Sequence, residues 1–151
     1  MKNKSYLILL VDRKRARMFT IFNGVVTNHH ELNNDEAPRK VKHGENAWDA
    51  QDKINRHIEN YLHRHLTHVA QEVNRYAKKE KIDGVIIGGH KQLFSKMEEY
   101  LKYPMNKKIL GNFVTELKVS QLEVFNRAKK FIDKIEKEQD EERVQQALLM
   151  N

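Results

Sequence analysis

Leu7-Ile8-Leu9-Leu10-Val11 is an unbroken apolar run of strand length, which predicts a strand covered on both faces. Asp12 ends it. Ala16, Met18, Thr20 and Phe22 then alternate with Arg17, Phe19 and Ile21, and Asn23-Gly24 is the residue pair that a tight hairpin turn favours. Val25 to Glu31 reads as the return strand, so the chain is predicted to open as a three-stranded antiparallel meander, about six residues per strand.

From Asp52 the period lengthens. Ile54, Ile58, Tyr61, Leu62, His65, Leu66, Val69, Val73 and Tyr76 share one helical stripe, which predicts a long amphipathic helix ending near Lys81. Asp52, or Asp49 a turn earlier, is the candidate cap. Ile82 to Ile87 then reads as a short buried strand closed by Gly88-Gly89, followed by a helix carrying Leu93, Phe94, Met97 and Leu101 that Pro104 stops. Ile109 to Val114, with Leu117 to Val119 as a candidate continuation, predicts one more strand. Ser120 to Met150 predicts a closing helix. Strands alternating with helices after a meander imply an α/β domain, a three-layer mixed β-sheet with flanking helices.

That last helix is uneven. Val124, Phe125, Ala128, Ile132 and Ile135 form an apolar stripe, but Glu136 to Arg143 is densely charged before Val144, Ala147, Leu148 and Leu149 resume. The expected division is a domain over residues 1–132 and a charged helical extension over 133–151, a linker or a docking arm that leaves the globule.

Charge sharpens that division. The net charge is +7, yet residues 133–151 hold six acids against three bases, so the first 132 residues carry +10. A basic body favours an anionic partner, of which nucleic acid is the commonest; solvated surface lysines are the plainer reading. The absence of cysteine rules out disulfides and thiolate metal sites and fits a cytoplasmic protein. No apolar run is long enough for a membrane span.

Between the meander and the long helix lies the segment 39–52, Arg-Lys-Val-Lys-His-Gly-Glu-Asn-Ala-Trp-Asp-Ala-Gln-Asp. Arg39, Lys40, Lys42 and His43 beside Gly44 suit close approach to a phosphate backbone. Trp48, the only tryptophan, could stack on an unpaired base or pin the loop to the helix behind it.

Other candidate chemistry is weaker. His57, His63, His65 and His68 sit on the long helix, but no pair has the spacing of a zinc-protease helix, so core and surface roles are the better reading and no metal or other cofactor is expected. Asp12 ends a buried strand, as in two-metal nucleases, but the later strand ends in Gly88-Gly89-His90 with no acid to match it. Capping the turn is the simpler role for Asp12. Gly88-Gly89-His90-Lys91 leads from strand to helix, where amides can hold an anion, or where a tight turn needs φ > 0.

The order of elements, with Leu7–Asp12, Arg15-Ala16-Arg17-Met18-Phe19, Lys42-His43-Gly44, the helix from Lys53, Asp83-Gly84-Val85-Ile86-Ile87-Gly88-Gly89 and Leu110-Gly111-Asn112, resembles the central domain of the archaeo-eukaryotic release factor and Pelota superfamily. It looks most like the bacterial release-factor-like members, also called host-attachment proteins. The resemblance implies a translation-associated protein in which the loop before the long helix faces tRNA or rRNA. In true release factors that loop carries Gly-Gly-Gln, which positions a water against the peptidyl-tRNA ester, with amides stabilising the oxyanion. Here it reads His43-Gly44-Glu45-Asn46, leaving Asn46 or Gln51 as the residues that could orient a water, so peptidyl-tRNA hydrolysis is not expected. Pelota-type members engage stalled ribosomes without that chemistry. The resemblance therefore implies ribosome rescue, with phosphate contacts from Arg39, Lys40, Lys42 and His43 together with Arg13, Lys14, Arg15 and Arg17. It also likens the 120–150 helix to a connection towards a further domain. A non-catalytic protein-interaction module is the third expectation.

Overall fold

The computed structural model describes residues 3–34 and 47–149. Three strands open the chain, β1 (Ser5–Val11), β2 (Arg15–Phe22) and β3 (Val25–Asn33). Helix α1 (Ala47–Lys79) leads to β4 (Gly84–Gly89), and α2 (Lys91–Tyr100) leads through a 3-10 turn at Met105–Lys107 to β5 (Ile109–Val114). Helix α3 (Gln121–Leu149) closes the order. The five strands form one sheet in the order β3-β2-β1-β4-β5. The meander is antiparallel, whereas β1 pairs in parallel with β4, and β4 with β5.

The unbroken apolar run of β1 has its cause in two covered faces. Leu7, Leu9 and Val11 join Leu66, Val69 and Val73 of α1 and Phe94 and Met97 of α2 in one buried cluster. Tyr6, Ile8 and Leu10 point the other way, into a second cluster with Val124, Ala128 and Ile132 of α3. A period-two strand between two helical layers needs an apolar residue at every position. The three-layer mixed sheet expected from the sequence is the observed architecture.

Some boundaries differ from expectation. Helix α1 begins at Ala47, so the expected cap positions 49 and 52 fall within the helix rather than ahead of it. The stretch from Ala47 is compatible with helix throughout, and acids in the first turns suit the positive end of the helix dipole. Gly88 and Gly89 belong to β4 rather than following it, and Leu117–Val119 is not a strand. Helix α2 stops at Tyr100, before Pro104 is reached; Leu101 turns to extended backbone and its N–H bonds the carbonyl of Met97. Ser120 caps α3, its Oγ accepting the Glu123 N–H at 3.2 Å.

Helix α3 runs through residue 132 without a break. Tyr6 Oη donates to Glu136 Oε1 at 3.2 Å and Lys4 Nζ to Gln139 Oε1 at 2.8 Å, so the helix stays tied to the start of β1. Burial and the Glu136 carboxylate together push the Tyr6 phenol above its ordinary range. From Glu141 to Leu149 every side chain is exposed.

Candidate nucleic-acid interface

The strand order reverses between β1 and β4, and the carboxyl ends of both strands meet there. Such a switch point is where open α/β sheets commonly take ligands. Gly89 makes the meeting possible. Its φ is +123°, and a Cβ on it would stand 2.1 Å from the carbonyl oxygen of Val11. Any side chain would drive the two strand ends apart.

Asp12 ends β1 as a buried turn cap. Its Oδ1 accepts the N–H groups of Lys14 and Arg15, and its Oδ2 takes the Arg15 guanidinium at 3.1 and 3.2 Å. Burial pushes this carboxyl up, but those amide bonds and Arg15 outweigh it and hold it below its ordinary value. Every carboxylate bond thus serves the turn, which is the capping role. Among the described residues no group of three or more His, Asp or Glu could hold a metal.

Asn34 is the focus of a polar clamp at the end of β3. Its N–H donates to Lys14 O at 2.8 Å, and Tyr61 Oη donates to its carbonyl. Its side-chain Nδ2 lies 2.6 Å from His65 Nδ1, and its Oδ1 lies 3.3 Å from His68 Nδ1. His65 Nε2 reaches Asp12 O at 2.8 Å, so a neutral ring with its proton on Nε2 satisfies both contacts. Burial holds the His65 imidazole below its ordinary value. Three elements are therefore locked together: the turn after β1, the end of β3 and the middle of α1. Sequence reasoning did not mark Asn34; only partners about thirty residues away give it meaning.

Before this clamp the described side chains of α1 are largely exposed. From Gln51 to Asn60 no side chain is buried, and Tyr61 is the first that is. Residues 47–60 extend the helix roughly 20 Å at about 1.5 Å per residue. Gln51 is exposed there and bonds Asn55 Oδ1 at 3.0 Å. Arg39, Lys40, Lys42, His43, Gly44 and Asn46 lie outside the described residues; Trp48 falls in the first turn of α1, its side chain likewise outside them.

The four bases of the β1–β2 region separate into two kinds. Arg13 and Lys14 are exposed at the turn. Arg15 is 41% exposed and paired with Asp12. Arg17 works inward: its Nη1 donates to Leu117 O at 2.6 Å and Val119 O at 2.7 Å, fixing the β5–α3 connection, and its guanidinium lies 4.9 Å from the Phe19 ring centre. A groove of about 650 Å³ runs here between Arg15, Arg17, Glu31 and Lys118. His90 and Lys91, exposed after Gly89, stand at the same end of the sheet. The other helix histidines have ordinary places: His57 is exposed, and His63 Nδ1 meets Tyr100 Oη at 2.6 Å.

This architecture is that of a release-factor-type α/β/α domain. A crystal structure of the archaeal translation termination factor aRF1 superposes with a TM-score of 0.52 at 18% identity, covering 94% of this chain and 43% of that one. Pelota of Archaeoglobus fulgidus gives a TM-score of 0.52 at 12% identity, with 96% and 38% covered. A structure described as an archaeal protein gives 0.54 at 16%, with 94% and 42% covered. The chain thus spans about two fifths of the length of these structures. Residues 1–132 match the model of bacterial archaeo-eukaryotic release factor family 10, and the chain belongs to that family. No curated protein matches it.

Proposed function

We propose that this chain is a translation-associated RNA-binding domain that contacts tRNA or rRNA through the 39–44 segment and the neighbouring Arg13 and Lys14, without hydrolysing peptidyl-tRNA. The observation that carries this reading is the family match over residues 1–132. It is supported by a fold shared with a translation termination factor and with Pelota. The geometry adds a mechanical reason. The clamp on Asn34 fixes the turn that presents Arg13 and Lys14, both exposed at the carboxyl ends of β1 and β4. Cations carried on a fixed turn suit contact with a phosphate backbone. Arg15 and Arg17 serve this interface by shaping it, since their guanidinium groups are engaged within the protein.

Hydrolysis has no support in the residues that could perform it. Gln51 lies on a helix bonded to its own neighbour, and the His43-Gly44-Glu45-Asn46 sequence lacks the Gly-Gly-Gln that ester hydrolysis uses in release factors. On this reading the cytoplasm is the working compartment, and no helix among the described residues is long and apolar enough to cross a membrane. Residues 133–151 serve as a linker or docking arm for a protein partner or a further domain.

Cosedimentation of the protein with ribosomes, alongside release of labelled peptide from peptidyl-tRNA-loaded ribosomes, tests the proposal. Binding without release is expected, and Arg13→Ala with Lys14→Ala should weaken it. Release that disappears in Asn46→Ala with Gln51→Ala would make the protein a hydrolase instead; absence of ribosome binding would end the translational reading.

A further inference from the structure

At the opposite end of the sheet, where β1, β4 and β5 begin, the α1–β4 and α2–β5 connections lie side by side. Lys108 Nζ donates to Ile82 O at 2.8 Å, and Val85 N–H donates to Lys108 O at 2.9 Å. This contact sets Lys81, next to Ile82, beside the turn that carries Lys102 and Lys107, a turn closed by the Asn106 N–H on Lys102 O at 3.3 Å; all three lysines are exposed. Lys78 and Lys79 have a local reason for their charge, since they complete the last turn of α1 and suit its negative end. Lys81, Lys102 and Lys107 have no such reason. Among the described residues no carboxylate pairs with any of these three, and Asp83 is occupied by the Ser5 N–H at 2.9 Å.

Tyr103 lies on the same turn, between Lys102 and Lys107. Leu101 and Met105 on either side of it are buried at 2%, so the turn is pinned twice and its crest is pushed outward. Tyr103 is 79% exposed, well above the 40% of Phe22, the other exposed large aromatic among the described residues. An aromatic face set between ammonium groups is the combination that binds unpaired nucleotides: cations hold successive phosphates while a base stacks on the ring.

We infer that the Tyr103–lysine cluster is a second nucleic-acid surface, taking single-stranded or unpaired RNA. It lies about 20 Å from the Arg13–Lys14 turn, the length of a seven-residue strand. It goes beyond the reading above, because it uses none of the residues assigned there. The protein would then hold two RNA segments at once, one at each end of its sheet.

Fluorescence anisotropy of the intact protein with a short labelled oligouridylate, and with an abasic strand of equal length, tests this. Lys102→Ala with Lys107→Ala should weaken binding of both strands and lower the slope of log affinity against log salt by about 1.4, from two lost phosphate contacts on a single strand. Tyr103→Ala should weaken the base-bearing strand roughly tenfold and leave the abasic strand unchanged, while Tyr103→Phe should bind normally. Unchanged binding in the lysine variant overturns the inference. So does a lysine effect without a tyrosine effect, which would describe a general polyanion surface. Loss of oligouridylate binding in Arg13→Ala with Lys14→Ala, with the lysine and tyrosine variants intact, overturns it too while leaving the proposed function standing.

Discussion

Where β1 and β4 end, polar groups are buried and interlocked: Asp12 caps a turn, His65 bridges Asp12 and Asn34, and Tyr61 holds the Asn34 carbonyl. Where the same strands begin, main-chain ties, the Asp83 carboxylate on the Ser5 N–H and the Lys108 ammonium hold the connections together, and Lys81, Lys102 and Lys107 stand in water. The two ends share a charge sign but differ in what charge does there. At the first, polar chemistry sets the position of chain segments, so altering it should change stability. At the second, the exposed lysines decorate an already determined backbone, so altering them should change binding alone.

The sharpest way to break that contrast is a methyl group at each end. Gly89→Ala places Cβ against the Val11 carbonyl in a left-handed backbone conformation and should cost at least ~3 kcal/mol in urea unfolding. Gly84→Ala, at the lysine end, meets Leu110 Cδ1 at 2.5 Å and Cγ at 2.9 Å and the buried Tyr6 ring at 3.1 Å, side chains that can shift where a carbonyl cannot, and should cost about 2 kcal/mol. Equal costs would remove the distinction. Asn34→Ala comes next, at ~2 kcal/mol, because it leaves the buried His65 without its Nδ1 partner. The same variant should bind oligouridylate as the wild type does.

Acidity gives a smaller and more graded probe. The folded protein holds His65 below its ordinary 6.5, so the unfolded chain takes up the proton first. Stability from this residue is intact above 6.5 and falls as the pH drops below it, by up to about 1.4 kcal/mol per pH unit, until the folded ring also protonates. Asp12, held below its ordinary 3.8, adds a second loss at lower pH, as its carboxylate protonates. Denaturation curves across pH 7 to 5 (about two units) check the first loss, and Lys102→Ala with Lys107→Ala should leave its slope unchanged. At neutral pH that lysine variant should match the wild type within about 0.5 kcal/mol, the smallest effect of the set.

Much of the fold could be read from local pattern. The Leu7–Val11 run announced a strand between two layers, Asn23-Gly24 announced the hairpin, and the stripe from Tyr61 to Tyr76 announced the packed part of α1. The stripe continues upstream of Tyr61: Ile54 and Ile58 are half-buried, while the other side chains from Gln51 to Asn60 are exposed. Periodicity reports a helix face, not what lies opposite it.

The site was less legible because its chemistry is non-local. Arg17 looked like a cation for phosphate, but two carbonyls one hundred residues away claim it. Asn34 was one polar residue among several after a strand. The lysine cluster joins Lys81 to the 102–107 turn, which no window along the chain brings together. Residues 35–46, by contrast, hold three acids (Asp35, Glu36, Glu45) against Arg39, Lys40 and Lys42, so placement rather than excess charge must give that segment any preference for phosphate.

Filter binding of tRNA to the intact protein at two salt concentrations about fourfold apart tests the central claim most directly. Affinity should drop steeply as salt rises, and replacing Arg13 and Lys14 by alanine should lower both the affinity and that dependence. Binding indifferent to salt, or no binding at the lower concentration, would contradict an RNA-facing role for this end of the sheet.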